Sequence, residues 1–93
     1  MDRVLLVEDD SRIAESLRIS LKASGYDTTH APTLAAARAT IAKQKFAIVL
    51  LDINLPDGSG FDLCNELRRD HATLPILMLT AKTDEESAVK GLG

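Results

Sequence analysis

Cysteine is nearly missing from this sequence. Cys64 stands alone, so no disulfide can form within the chain. Aromatic residues make up 3% of the 93 residues and there is no tryptophan, which removes the platforms on which nucleic-acid bases stack. Neither sign of charge dominates: 11 basic residues face 14 acidic ones, a net charge of −3. That argues against the basic face on which nucleic-acid binding rests, so this segment is expected to hold no nucleic acid directly. No apolar run approaches the roughly 18 residues of a membrane span, so no membrane contact is expected either. Met1-Asp2-Arg3 opens straight into a short apolar run with no leader pattern. A reducing, cytoplasmic setting is the expectation. What is present is the mix of a globular protein, 45% hydrophobic and 27% charged, in a length that suits one domain spanning residues 1–93.

Three apolar runs organise the chain: Val4-Leu5-Leu6-Val7, Ile48-Val49-Leu50-Leu51 and Ile76-Leu77-Met78-Leu79. Each is continuous rather than alternating, as in strands buried on both faces of a parallel sheet. Between them lie helical stripes. Ile13, Leu17 and Leu21 recur every four residues, Leu34, Ala37 and Ile41 at three and four, and Cys64 and Leu67 follow Phe61. Asp10 or Ser11 can cap the first helix and Gly25 can end it. Thr33 can cap the second helix, Pro56 to Gly60 reads as a loop, and Pro75 can open a strand. The pattern predicts strands at 3–7, 26–30, 47–51 and 75–80, with helices at 11–24, 33–44, 60–69 and from 84 onward. Strict alternation of strand and helix means an α/β fold, an open parallel sheet with helices on both faces.

In such sheets ligands bind beyond the carboxyl ends of the strands. Glu8, Asp9 and Asp10 follow the first strand, Asp52 the third, and Thr80 and Ala81 the fourth. If the first and third strands are neighbours, Glu8, Asp9 and Asp52 converge and repel one another as a coupled group. A hard divalent cation relieves that repulsion, and Mg²⁺ suits carboxylates combined with water and phosphate oxygens. A carboxylate beside such a cation can attack a phosphoryl group and become an aspartyl-phosphate. Singly, each residue has a plainer reading: helix capping for Glu8-Asp9-Asp10, a polar strand end for Asp52, a strand-end hydroxyl for Thr80. Jointly, acids after two strands, a hydroxyl after another and Asp57-Gly58-Ser59-Gly60 behind Asp52 argue for a site.

Three strings, Val7-Glu8-Asp9-Asp10, Leu51-Asp52-Ile53-Asn54-Leu55-Pro56-Asp57-Gly58-Ser59-Gly60 and Leu79-Thr80-Ala81-Lys82, together resemble the receiver domain of bacterial two-component response regulators. The resemblance covers the whole chain. It implies a flavodoxin-like fold with strand order 2-1-3-4 and Asp52 as the phosphoacceptor, supplied by a sensor histidine kinase. It implies Mg²⁺ held by Asp9 directly, Glu8 through water, Asp52, and the backbone carbonyl of Asn54. Thr80 becomes the switch hydroxyl and Ala81 the small residue beside it, while Asp10 is left as a helix cap. The family continues into a fifth strand, ending in Lys-Pro, and a fifth helix. Neither is found in these residues, so the resemblance implies a C-terminally truncated receiver with weakened phosphorylation. Lys82 reads as a surface residue rather than a substitute for that lysine. The motif wording is similar to regulators with a winged-helix DNA-binding output domain.

His30 and His71 lack metal-ligand spacing and read as surface residues. Cys64 reads as buried and inert. Gly58 and Gly60 lack the Lys-Ser or Lys-Thr of a phosphate loop. Two other functions compete with phosphoacceptor signalling. One is a folded interaction fragment impaired in phosphorylation. The other is a Mg²⁺-dependent phosphohydrolase, which would want a second Asp where Asn54 stands and so finds no general acid there. With no fifth strand, the run 75–80 would be an edge without charge or bulge. Self-association through it, as a homodimer or by exchange of C-terminal segments, is expected.

Overall fold

Four consecutive apolar residues can be buried on both faces only in an inner strand. The first two such runs take the inner places here. The computed structural model describes residues 2–79. Its main sheet holds β1 (Arg3–Val7), β2 (Asp27–Ala31), β3 (Ile48–Asp52) and, after a short hairpin of β4 (Asn54–Leu55) and β5 (Gly58–Ser59), β6 (Ile76–Leu79). All four pair in parallel in the order β2-β1-β3-β6, which is the expected order with the hairpin inserted. The crossovers are α1 (Ser11–Ala23), α2 (Leu34–Lys43) and α3 (Gly60–Asp70).

The pleat sends alternate residues to opposite faces. Val4, Leu6 and Leu50 pack with Ala14, Leu17 and Leu21 of α1. Leu5, Val7, Val49 and Leu51 pack with Leu34 and Ala37 of α2 and Leu63 and Leu67 of α3. Among the described residues, no helix is long and apolar enough to cross a membrane.

Caps set the element bounds. Of the two candidates for capping α1, Asp10 takes the role, its carboxylate accepting from the backbone N–H of Arg12 at 2.9 Å and of Ile13 at 3.4 Å. Thr33 caps α2 through Ala36 N–H and Ser59 caps α3 through Phe61 N–H. Gly25, at φ +91°, closes α1 in the left-handed conformation. Its N–H donates to Lys22 O, and that of Tyr26 donates to Leu21 O at 2.9 Å. Tyr26 is thus spent on the helix end, and β2 starts at Asp27 rather than at 26. At the other shifted strands, β3 runs on through Asp52 because Asp52 pairs with Leu79, and β6 starts after Pro75, which has no N–H to pair.

Two expectations are corrected. The segment after Asp52 is not all loop, since Asn54–Leu55 and Gly58–Ser59 pair antiparallel. Cys64 is half-buried rather than buried, packed at the margin of the α2–α3 face. His30 and His71 are exposed as expected. Thr80, Ala81, Lys82 and the helix expected from 84 lie outside the described residues.

Candidate metal centre at the carboxyl end of the sheet

Parallel strands all end on the same side, so their last residues meet. The register Val7↔Leu51 brings Glu8 beside Asp52. Glu8 keeps the sheet's geometry one step beyond β1 by donating its N–H to Ala31 O at 3.1 Å. The strands thus carry two acids to the rim of the core. Glu8 and Asp52 are 4% and 3% exposed, and they are the buried charged residues among those described. Asp9, by contrast, is exposed. One carboxylate oxygen from each of Glu8, Asp9 and Asp52 lies within 4.8 Å of the others.

Burial raises the cost of charge, and here it pushes the Glu8 carboxyl up to about 7, with the nearby Asp52 and Asp9 charges adding to the effect. Asp52 is also raised by burial, but less freely. Ile53 N–H donates to its Oδ1 at 2.8 Å, and hydrogen bonds from Glu8 and the Asn54 backbone favour its charged form. The hydrogen bond between the two side chains favours the neutral form of Glu8 and the charged form of Asp52. Asp10 N–H donates to Glu8 Oε1 at 3.0 Å. The Asp10 carboxylate itself caps α1, the helix-cap role expected for it.

The segment after Asp52 is held closely. Gly60 N–H donates to Ile53 O at 2.6 Å. A side-chain carbon at Gly60 would collide with the carbonyl oxygen of Asp52, so only glycine fits. Asn54 begins the hairpin two residues past Asp52 and is exposed.

Two features were missed from sequence. Asp57, at the hairpin tip, accepts from the N–H of Leu34 at 2.8 Å and of Ala35 at 3.0 Å, a second cap on α2. These bonds and nearby Arg38 hold its carboxyl below the usual range. His30 Nε2 lies 2.6 Å from the backbone carbonyl of Glu8. Acid followed by glycine at the hairpin tip was the only hint of the first, and the second had none. A hollow of about 730 Å³ among Lys43, Phe46, His71 and Leu74 opens at the opposite end of the sheet, away from the acids.

Three carboxylates at the strand ends of a flavodoxin-like sheet could hold a metal ion, and comparison with known proteins gives the family. Residues 4–93 match the response regulator receiver domain, and the chain belongs to that family. It is 38% identical over 91 residues to the phosphate regulon transcriptional regulatory protein PhoB of Pseudomonas aeruginosa, covering 96% of this chain and 40% of that one. It is 42% identical over 90 residues to the DNA-binding response regulator MtrA of Mycobacterium tuberculosis, covering 97% and 39%. The chain therefore spans about 40% of the length of these curated relatives. Among solved structures, the response regulator TrrA of Thermotoga maritima in complex with Mg²⁺-BeF superposes with a TM-score of 0.85 at 29% identity, covering 99% of this chain and 80% of that one. TrrA in complex with the histidine kinase ThkA gives 0.82 at 32%, covering 87% and 70%.

Proposed function

We propose that this domain accepts a phosphoryl group on Asp52 with the help of Mg²⁺, taking it from a sensor histidine kinase and relaying the change to an output domain. The observation that carries this is the meeting of Glu8, Asp9 and Asp52 within 4.8 Å at the carboxyl end of the sheet. Three acids packed this closely, two of them buried, suit a hard cation with oxygen ligands. Mg²⁺ would be held by the carboxylates of Asp9 and Asp52, by the backbone carbonyl of Asn54 and, through water, by Glu8. When bound, it neutralises the acids and the incoming phosphoryl oxygens. Asp52 is the nucleophile. Its carboxylate oxygen forms the new O–P bond as the N–P bond of a phosphohistidine breaks and the electron pair leaves with the imidazole. The hydrogen bonds from Ile53 N–H, Glu8 and the Asn54 backbone favour the anionic form of Asp52 that this attack needs. Thr80, by the family pattern, is the switch hydroxyl.

The resemblance to TrrA supports the kinase and the cation, and the resemblance to MtrA supports a DNA-binding output. Such a partner would set the domain in the cytoplasm. The domain is a signalling module rather than a metabolic enzyme, since Asn54 stands where a phosphohydrolase of this architecture places its general acid. Leu77, 56% exposed on β6, supports contact between copies of the chain along that side. Leu77→Lys should then leave only monomer in light scattering.

The test of the function is mass spectrometry after incubation with Mg²⁺ and acetyl phosphate. Wild type should gain one phosphoryl group and Asp52→Asn none. Equal labelling of the two would refute the assignment.

A further inference from the structure

The acidic loop is pinned from the side by a residue outside the family motifs. His30 stands opposite Leu6 in the β1–β2 pairing, on the face of the sheet that α1 covers, near the carboxyl end of the edge strand. Its ring reaches along the sheet until Nε2 lies 2.6 Å from the backbone carbonyl of Glu8. A carbonyl can only accept, so Nε2 carries the proton and donates. The backbone N–H of Glu8 donates to Ala31 O at 3.1 Å. Both polar groups of the Glu8 backbone are therefore tied to the end of β2.

The Glu8 carbonyl belongs to the peptide that leads into Asp9. Two of the three acids gain their positions from burial within the sheet, but Asp9 is exposed and has no such packing. The orientation of the Glu8–Asp9 peptide decides where the Asp9 carboxylate points. We propose that His30 is a positioning residue for the metal centre: its Nε2–H donates to the Glu8 carbonyl and so fixes the peptide from which Asp9 reaches the cation. This rests on the proposed Mg²⁺ reading of the acidic trio. Without the tie, the loop would be ordered only when the cation binds, and that ordering would weaken affinity.

The test compares wild type, His30→Ala, His30→Gln and Asp9→Ala in calorimetric titrations with Mg²⁺ alone. Metal-free melting and amide hydrogen exchange are measured beside them. Glutamine carries an N–H donor at the same distance along the side chain as Nε2. His30→Ala should bind Mg²⁺ roughly three- to tenfold more weakly, the range of one lost neutral hydrogen bond. It should exchange the Asp9 amide faster and should melt close to wild type. His30→Gln should recover most of the affinity and the slow exchange. If His30→Ala binds as tightly as wild type while Asp9→Ala does not, the positioning role is wrong and the metal reading stands. If alanine and glutamine weaken binding equally, or lower the melting temperature in step with affinity, the ring acts by packing and the proposal is overturned. If wild type and Asp9→Ala show the same Mg²⁺ affinity, the metal reading itself fails, and this proposal with it.

Discussion

One residue separates the most stabilising part of this domain from the least. Val4 to Val7 of β1 and Val49 to Leu51 of β3 are apolar and almost wholly buried between α1 on one side and α2 and α3 on the other. Glu8 and Asp52 come next on the same two strands, and they are just as buried. Burying the first group is favourable by roughly 25 cal/mol per Å² of apolar surface. Burying the second is unfavourable unless charge is neutralised, by a proton or by a cation. The strand bodies thus hold the fold while the strand ends are kept in a costly state that a ligand can relieve. The difference lies in side-chain chemistry alone, since the backbone pairing runs through both regions.

The sharpest way to break that comparison is to disturb the backbone that joins the regions. Gly60→Ala places a carbon against the Asp52 carbonyl. It should cost about 1–3 kcal/mol in denaturant unfolding, as overpacking does. A change within error would mean that the site's backbone is far looser than described.

Removing the charge should do the opposite. Asp52→Asn takes away the anion beside Glu8, so metal-free protein should melt higher at pH 8 than wild type, and its melting temperature should vary less with pH. A clear fall in melting temperature at pH 8 would count against a costly pair.

Smaller effects separate neighbours in the sequence. Asp9→Ala should weaken Mg²⁺ binding by about tenfold or more, as loss of a ligand does. Asp10→Ala should cost about 1 kcal/mol of stability through the lost cap, with a lesser effect on the metal. Comparable losses of Mg²⁺ affinity in the two titrations would reverse their roles.

The same contrast explains what could be read from sequence. The inner strands were legible because four apolar residues in a row need burial on both faces. The edge strand β2, Asp-Thr-Thr-His-Ala, carries no such signal, and its start was misplaced by one because Tyr26 closes α1 instead. The acidic trio was legible through topology, since parallel strands must end together. Asp10 as a cap was legible because its partners lie within three residues. The β4–β5 hairpin was not, because two residues per strand show no periodicity. Nor were Asp57 on α2 and His30 on Glu8, whose partners lie 23 and 22 residues away in sequence. Only the folded sheet brings them together.

The central claim is that the strand ends are costly until a cation is bound, and its most direct test is the melting temperature between pH 4.5 and pH 8, with and without millimolar Mg²⁺. The Glu8 carboxyl is raised from its ordinary 4.5 to about 7 in the fold. The folded protein therefore binds a proton more tightly than the unfolded chain does. That stabilisation is complete below the ordinary value and is lost as pH rises through about 7. Without Mg²⁺, stability should fall across this window by an amount on the order of 2 kcal/mol, seen as a drop of several degrees. Mg²⁺ competes with protons for the same oxygens, so it should do little at pH 4.5 and should raise the melting temperature most at pH 8. A flat metal-free profile, or a melting temperature at pH 8 that Mg²⁺ leaves unchanged, would contradict the account.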